Sequence, residues 1–188
     1  MAIFGNTLET DLGGHDLSVY GLGSQYTCPE SGIVDKITAR IWIDAAVTVN
    51  IKSAMYDSSG NLITNGLSDE VGCLGIAVNK WYDFPFSAPK PSLLNQDYII
   101  VLRGAATSYL AHSSVETGSL KYSTTPYASF PADPETFSIG DAYKAIYCTY
   151  TPSGQVYISK VQRVTGMRTF GGISSIYNRF PTLKPRRF

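Results

Sequence analysis

Apolar and polar residues alternate along much of this sequence, and that pattern leaves few folds open. A period of two places one set of side chains on the core face of a β-strand and the other set outside. Residues 36–43 show it most clearly: the apolar set Ile37, Ala39, Ile41 and Ile43 alternates with Lys36, Thr38, Arg40 and Trp42. The pattern predicts a strand with one buried face.

Similar runs recur through the body of the chain. Residues 47–56 alternate and lead into Asp57-Ser58-Ser59-Gly60-Asn61, a sequence typical of a hairpin turn. Residues 98–102 are continuously apolar, which predicts a central strand buried on both faces. Further strands are predicted at residues 80–86, 109–111, 120–122 and 144–150. With no amphipathic helix between them, the runs predict an all-β, two-sheet antiparallel β-sandwich, jelly-roll-like, over residues 1–151.

Although the net charge of the chain is zero, its acidic and basic residues are unevenly distributed along the sequence. Residues 1–141 hold all 15 acidic residues and 7 basic ones, a net charge of −8, whereas residues 142–188 hold 8 basic residues and no acidic one. We interpret residues 152–188 as a basic strand followed by an extended arm that docks, because apolar side chains accompany its charges. The predicted assembly residues are Lys160, Arg163, Arg168, Phe170, Tyr177, Arg179, Phe180, Arg186, Arg187 and Phe188.

An acidic body and a basic arm favour self-association, in which each arm lies on the body of the next subunit. The arm folding back on its own body is the alternative. Nucleic acid is a poor partner, because the acidic body repels a polyanion and the basic residues are widely spread. The partners expected are other copies of the chain, or other proteins of a virion or filament.

Catalytic chemistry finds little support in the residues. The two histidines, His15 and His112, are far apart and read as surface residues, and no nucleophile motif, metal-binding pair or phosphate loop accompanies them. The chain is therefore predicted not to be an enzyme and to need no cofactor. Structural calcium stays open, with Glu9, Asp11, Asp16 and Asp57 as candidate ligands, although a hairpin turn is the favoured role of Asp57.

Cysteine and aromatic residues add two expectations. Cys28, Cys73 and Cys148 are too few and too widely spaced for a disulfide framework, so buried thiols are expected. Sugar binding would use exposed aromatic rings beside polar groups, and Trp42, Trp81 and Arg40 are the candidates. The competing interpretation of Trp42 is that a neighbouring strand, loop or subunit covers it.

Several stretches resemble a β-sandwich module, similar to carbohydrate-binding jelly rolls, that recurs in uncharacterised archaeal, viral and environmental surface proteins. They are Phe4-Gly5-Asn6-Thr7, Gly23-Ser24-Gln25-Tyr26-Thr27, Ile37-Thr38-Ala39, Ala54-Met55-Tyr56-Asp57-Ser58-Ser59-Gly60-Asn61-Leu62 and Ala145-Ile146-Tyr147-Cys148-Thr149-Tyr150-Thr151. The resemblance covers about residues 4–151 and implies the fold more strongly than the function.

In that family the module is often one of several in a secreted protein. Here it stands alone with a basic arm, and its N-terminus lacks a secretory signal pattern. No apolar stretch is long enough to span a membrane. We therefore expect a virion structural or capsid-decoration subunit, or a filament subunit, in a virion or extracellular assembly made without Sec export. A glycan-binding or host-attachment module is the alternative.

Overall fold

The computed structural model describes residues 1–8, 13–75, 79–114 and 119–154. Within them the chain forms two antiparallel sheets that pack face to face, which confirms the predicted all-β sandwich. The first sheet contains β1 (Ala2–Gly5), β2 (Gly14–Asp16), β4 (Gly32–Trp42), β8 (Lys80–Pro85), β9 (Ser92–Leu93), β11 (Tyr109–Ser114), β14 (Tyr143–Lys144) and β15 (Ile146–Pro152). The second contains β3 (Gly21–Thr27), β5 (Thr48–Asp57), β6 (Leu62–Leu67), β7 (Val71–Leu74), β10 (Asp97–Gly104), β12 (Leu120–Ser123) and β13 (Ser138–Gly140).

The principal strands follow a jelly-roll order. In the first sheet β15 lies between β1 and β4, and β8 pairs with the other edge of β4. In the second sheet the order is β3-β10-β5-β6. Apart from β5 and β6, which are neighbours within the second sheet, successive principal strands therefore cross from one sheet to the other, as two interleaved Greek keys require.

The main core lies between the sheets, and the alternation in β4 determines which of its side chains enter that core. Ile37, Ala39 and Ile41 are fully buried, and the same alternation in β15 buries Ile146, Cys148 and Tyr150. The face predicted for residues 36–43 is thus confirmed, and residues 144–150 follow the same rule. The sequence predicts one strand over residues 144–150, but the structure divides this region into β14 and β15 with Ala145 between them.

A second, smaller core covers the outer face of the second sheet. Ile99 and Val101 of β10 pack there with Ala54, Tyr56 and Phe130. Phe130 belongs to the segment between β12 and β13, which includes a short 3₁₀ turn (Tyr127–Ser129) and lies across the sheet. Because both faces of β10 are covered, the continuously apolar run at residues 98–102 is explained as predicted.

The turn between β5 and β6 is a hairpin, as its sequence predicts. The Asp57 carboxylate accepts hydrogen bonds from the backbone N–H groups of Ser59 (2.9 Å) and Asn61 (3.0 Å). Gly60 has a φ of +89°, a conformation that glycine adopts without strain. These contacts, and a third from the Asn61 side chain (2.8 Å), lower the pKa of Asp57.

Candidate functional site

Strand β4 places Arg40 and Trp42 on the outer face of the first sheet, because the neighbouring Ile41 points into the core. Trp81 lies directly opposite Arg40 in β8. The three residues singled out from sequence therefore share one surface. We call it the aromatic face and define it as Arg40, Trp42, Trp81, Tyr109 and Tyr147.

Trp42 is half-buried and held in one orientation. Its ring stacks on Tyr109 of β11, with ring centroids 4.9 Å apart and planes 19° from parallel. Its Nε1 donates to the Asp44 carboxylate at 3.1 Å. Gly14 of β2 lies beneath the ring, so close that a Cβ at this position would clash with Trp42. Neighbouring strands thus cover part of Trp42 and leave the rest accessible.

Trp81 and Tyr147 form the second aromatic pair, with ring centroids 5.4 Å apart in an edge-on arrangement. Thr38 lies between their strands, in register with Tyr147 on one side and Asp83 on the other. Although Thr38 belongs to the outer face, it is only 2% exposed. Side chains on this face therefore form a layer above the sheet.

A polar cluster borders the second pair. Asp83 accepts hydrogen bonds from Lys36 Nζ at 2.6 Å and from Thr38 Oγ1 at 2.7 Å. Partial burial by itself raises the pKa of Asp83, but the contacts with Lys36 and Thr38 outweigh it and lower the pKa. Asp83 therefore remains an ionised acceptor at neutral pH.

The aromatic face combines flat apolar rings with the guanidinium of Arg40, and the Asp83 carboxylate lies two residues from Trp81 on the same strand. This combination suits a pyranose, whose ring face is apolar and whose edge carries hydroxyl groups. Trp, Tyr and Arg are also the residues that most often dominate the binding energy of protein interfaces. The arrangement is suited to binding by stacking and hydrogen bonding.

Sequence reasoning missed Tyr109 and Tyr147 as members of the face. Alternation does place Tyr147 opposite the core-facing Ile146 and Cys148, so one signal was present. The pairing of β11 and β15 with β4 that brings the two tyrosines beside Trp42 and Trp81 joins segments far apart in sequence. The predicted assembly residues lie at positions 160–188 and fall outside the described residues.

The expectation that His15 is a surface residue needs correction. His15 is half-buried, and its Nδ1 lies 2.5 Å from Nζ of Lys144. Lys144 is fully buried in β14, and burial lowers its pKa to about 7. Lys144 belongs to the first sheet, and its backbone is tied to β3 of the second, because its N–H donates to Ser24 Oγ (3.2 Å) and its carbonyl accepts from Tyr26 Oη (2.7 Å). Lys144 therefore belongs to the body and not to the basic arm.

Within the described residues, no group of three or more His, Cys, Asp or Glu side chains is arranged to hold a metal ion. Of the calcium candidates, Glu9 and Asp11 lie outside the described part of the chain, Asp57 serves the hairpin turn, and the Asp16 carboxylate accepts the Ser18 N–H at 2.7 Å.

No helix among these residues has the length and apolar character to cross a membrane. Cys28, Cys73 and Cys148 are buried free thiols.

Comparison of the chain with protein-family models, with curated proteins and with solved structures finds no match.

Proposed function

We propose that this chain is a non-enzymatic recognition module that binds a glycan through its aromatic face. The observation that carries the proposal is the placement of two aromatic pairs, Trp42 with Tyr109 and Trp81 with Tyr147, on the same outer face of one sheet. The aromatic face resembles a sugar-binding surface because it combines rings with polar groups. The likeness of the sequence to carbohydrate-binding jelly rolls adds only weak support, since one fold serves many functions.

Preorganisation of the face favours binding. Trp42 is fixed by stacking on Tyr109, by its hydrogen bond to Asp44 and by the close fit over Gly14. Rings that are already fixed lose little conformational freedom when a ligand arrives. Arg40, opposite Trp81 in the register, supplies donors next to a ring, which matches the alternation of apolar face and hydroxyl edge in a sugar.

The test is a glycan array with the full chain, followed by calorimetry on each positive glycan. We expect Trp81→Ala to weaken binding at least tenfold, which corresponds to about 1.4 kcal/mol, while Trp81→Phe retains part of it. Tyr20→Ala is the matched control, since this exposed tyrosine contacts Tyr122 of the second sheet and not the aromatic face. An array without positive glycans, or equal affinities for the wild type and Trp81→Ala, would refute the proposal.

A second candidate function is a virion structural, capsid-decoration or filament subunit that self-associates through its basic C-terminal segment. The charge distribution favours it: with Lys144 assigned to the body, residues 155–188 still hold 7 basic residues and no acidic one, against a net charge of −7 for residues 1–154. Opposite charges on two segments of one chain promote association between copies. The virion setting rests on the resemblance stated for the sequence.

Light scattering at low and high salt separates this candidate from a monomeric binder. We expect the full chain to form oligomers that dissociate as salt screens the charges. The full-length variant Arg179→Gln, Arg186→Gln, Arg187→Gln is expected to stay smaller at low salt, while Lys36→Gln, Lys80→Gln, Lys90→Gln, with the same loss of charge from the body, is not. A monomer under all conditions contradicts assembly and leaves the glycan proposal intact.

A further inference from the structure

The short strand β2 contacts both the buried amine of Lys144 and the ring of Trp42. Successive residues of a strand face opposite sides of a sheet. Gly14 accordingly lies on the outer face beneath Trp42. The next residue, His15, reaches inward to Lys144. We propose that β2 makes the aromatic face sensitive to acid, because a proton on both His15 and Lys144 releases the strand from the interior and removes the support of Trp42. This regulation rests on the proposed function of the aromatic face, but it can be tested without a ligand.

The contact between His15 and Lys144 accommodates one positive charge but not two. Nζ of Lys144 lies 2.5 Å from Nδ1 of His15 and 3.4 Å from the carbonyl oxygen of Leu110. Nδ1 of a neutral imidazole can accept a hydrogen bond from the amine or from the ammonium. An imidazolium carries a proton on both ring nitrogens, so it offers the ammonium no lone pair, and the two charges repel each other.

The amine of Lys144 has no counter-ion among the described residues, since none of their salt bridges involves it. Asp16 faces the opposite side of β2, and its carboxylate accepts the Ser18 N–H and interacts with Arg103 of β10. Tyrosine does not ionise at or below pH 8. The other titratable residues of β3, β11 and β14, the strands around Lys144, are Tyr26, Tyr109, His112 and Tyr143.

The pair takes up its protons near neutral pH. Burial lowers the pKa of Lys144 to about 7, and imidazole is the side-chain group that ordinarily titrates between pH 5 and 8. Two groups in such close contact titrate as a pair, so the second proton binds at a lower pH than the first. Because His15 is half-buried and Lys144 is fully buried, the charged histidine has the shorter path to water. We therefore expect β2 to be the element that moves, below pH 7.

The connections of β2 allow its first residues to move. Leu17, directly after the strand, is fully buried, and its N–H donates to the carbonyl oxygen of Ser108 at 2.7 Å. Gly13, directly before the strand, has a φ of +119°, and glycine changes its backbone conformation more easily than any other residue. The strand is thus anchored at its end and joined to the chain through a permissive residue at its start.

A movement of β2 affects both rings of the first aromatic pair. A Cβ on Gly14 would overlap the indole ring of Trp42, so the ring lies directly on the backbone of the strand. Asp16 is in register with Tyr109, the residue on which Trp42 stacks. When β2 leaves the edge of β11, Trp42 and Tyr109 lose this support, and binding by the aromatic face weakens.

The first test measures the accessibility of Trp42 by acrylamide quenching of its fluorescence. The chain has two tryptophans, so the full-length Trp81→Phe variant reports on Trp42 alone. We expect the quenching constant to rise about twofold between pH 7.5 and pH 5.5, a range above the ordinary titration of carboxyl groups. In the same background, His15→Gln and Lys144→Met should each abolish the rise. His112→Gln, which removes the other histidine, is the matched control and should retain it.

Each outcome of the quenching experiment decides the inference. A constant that does not change with pH overturns it, as does a rise that persists in His15→Gln or Lys144→Met or disappears in His112→Gln. Circular dichroism at both pH values shows whether each variant is folded. If His15→Gln does not fold, Lys144→Met decides alone.

The second test joins this device to the glycan site. For a glycan that is positive on the array, calorimetry should show an affinity about fivefold lower at pH 5.5 than at pH 7.5 in the wild type, and equal affinities in Lys144→Met. Equal wild-type affinities at the two pH values would overturn the regulation and leave the glycan site standing. An array without positive glycans would refute the glycan site, while the quenching experiment would still decide whether β2 responds to acid.

Discussion

Lys144 places an amine in the interior of the sandwich, where Nζ contacts Nδ1 of His15 and lies 3.4 Å from the carbonyl oxygen of Leu110. Burial disfavours the charged amine, which is why the pKa falls to about 7. Alternation places Lys144 on the same face as the buried Ile146, Cys148 and Tyr150. A lysine is rarely buried, however, so residue type alone argued against that position. The contacts of Lys144 with β11 and β3, which hold it there, join segments far apart in sequence.

We predict that Lys144→Met stabilises the fold, and that its advantage decreases as the pH rises. Lys144 has a lower pKa in the folded protein than in the unfolded chain, so between pH 7 and pH 9 the unfolded chain binds more protons. The lysine therefore costs most stability at and below pH 7. Over that range the difference in unfolding free energy between Lys144→Met and the wild type should shrink by about 2 kcal/mol.

Urea unfolding at pH 7, 8 and 9 measures this difference. Lys80→Met, at an exposed position of β8, is the control and should show no such pH dependence relative to the wild type. A difference between Lys144→Met and the wild type that stays constant over this range would show that the buried amine does not titrate there.

Among the elements, the β5–β6 hairpin depends most directly on one side chain. The Asp57 carboxylate accepts two backbone hydrogen bonds and one from the Asn61 side chain. We expect Asp57→Ala to lower the unfolding free energy by about 1–2 kcal/mol, because the turn loses all three contacts. Thermal unfolding followed by circular dichroism checks the change. Asp57→Asn, which keeps an acceptor oxygen for the backbone, should cost less than half as much, and equal losses in both variants would speak against this role.

Sequence patterns predicted elements well where one local property decides the structure. The alternation in β4 and β15 and the turn at Asp57 need only neighbouring residues, and the structure confirms them. Strand pairing does not follow from local pattern, so the aromatic face could be predicted only through its members on β4 and β8. Tyr109 belongs to a short predicted strand, and its stacking on Trp42 depends on the pairing of β11 with β4.

At the scale of the whole molecule, the two sheets carry different surfaces. The outer face of the first sheet displays aromatic rings around Arg40, whereas the outer face of the second sheet is partly covered by the segment that contains Phe130. A ligand on one face therefore leaves the other face open.

The sequence-based domain boundary at residue 151 falls inside β15, and the strand extends to Pro152.

Chemical labelling of the three free cysteines can report when the sandwich opens. Cys28, Cys73 and Cys148 are all 0% exposed, and burial raises the pKa of each thiol. A thiol that is both inaccessible and protonated resists alkylation and oxidation, so reaction requires the surrounding strands to separate. Mass spectrometry after timed iodoacetamide labelling should then show whether the sandwich opens as one unit, with equal rates at all three sites, or releases Cys73 on the short strand β7 first.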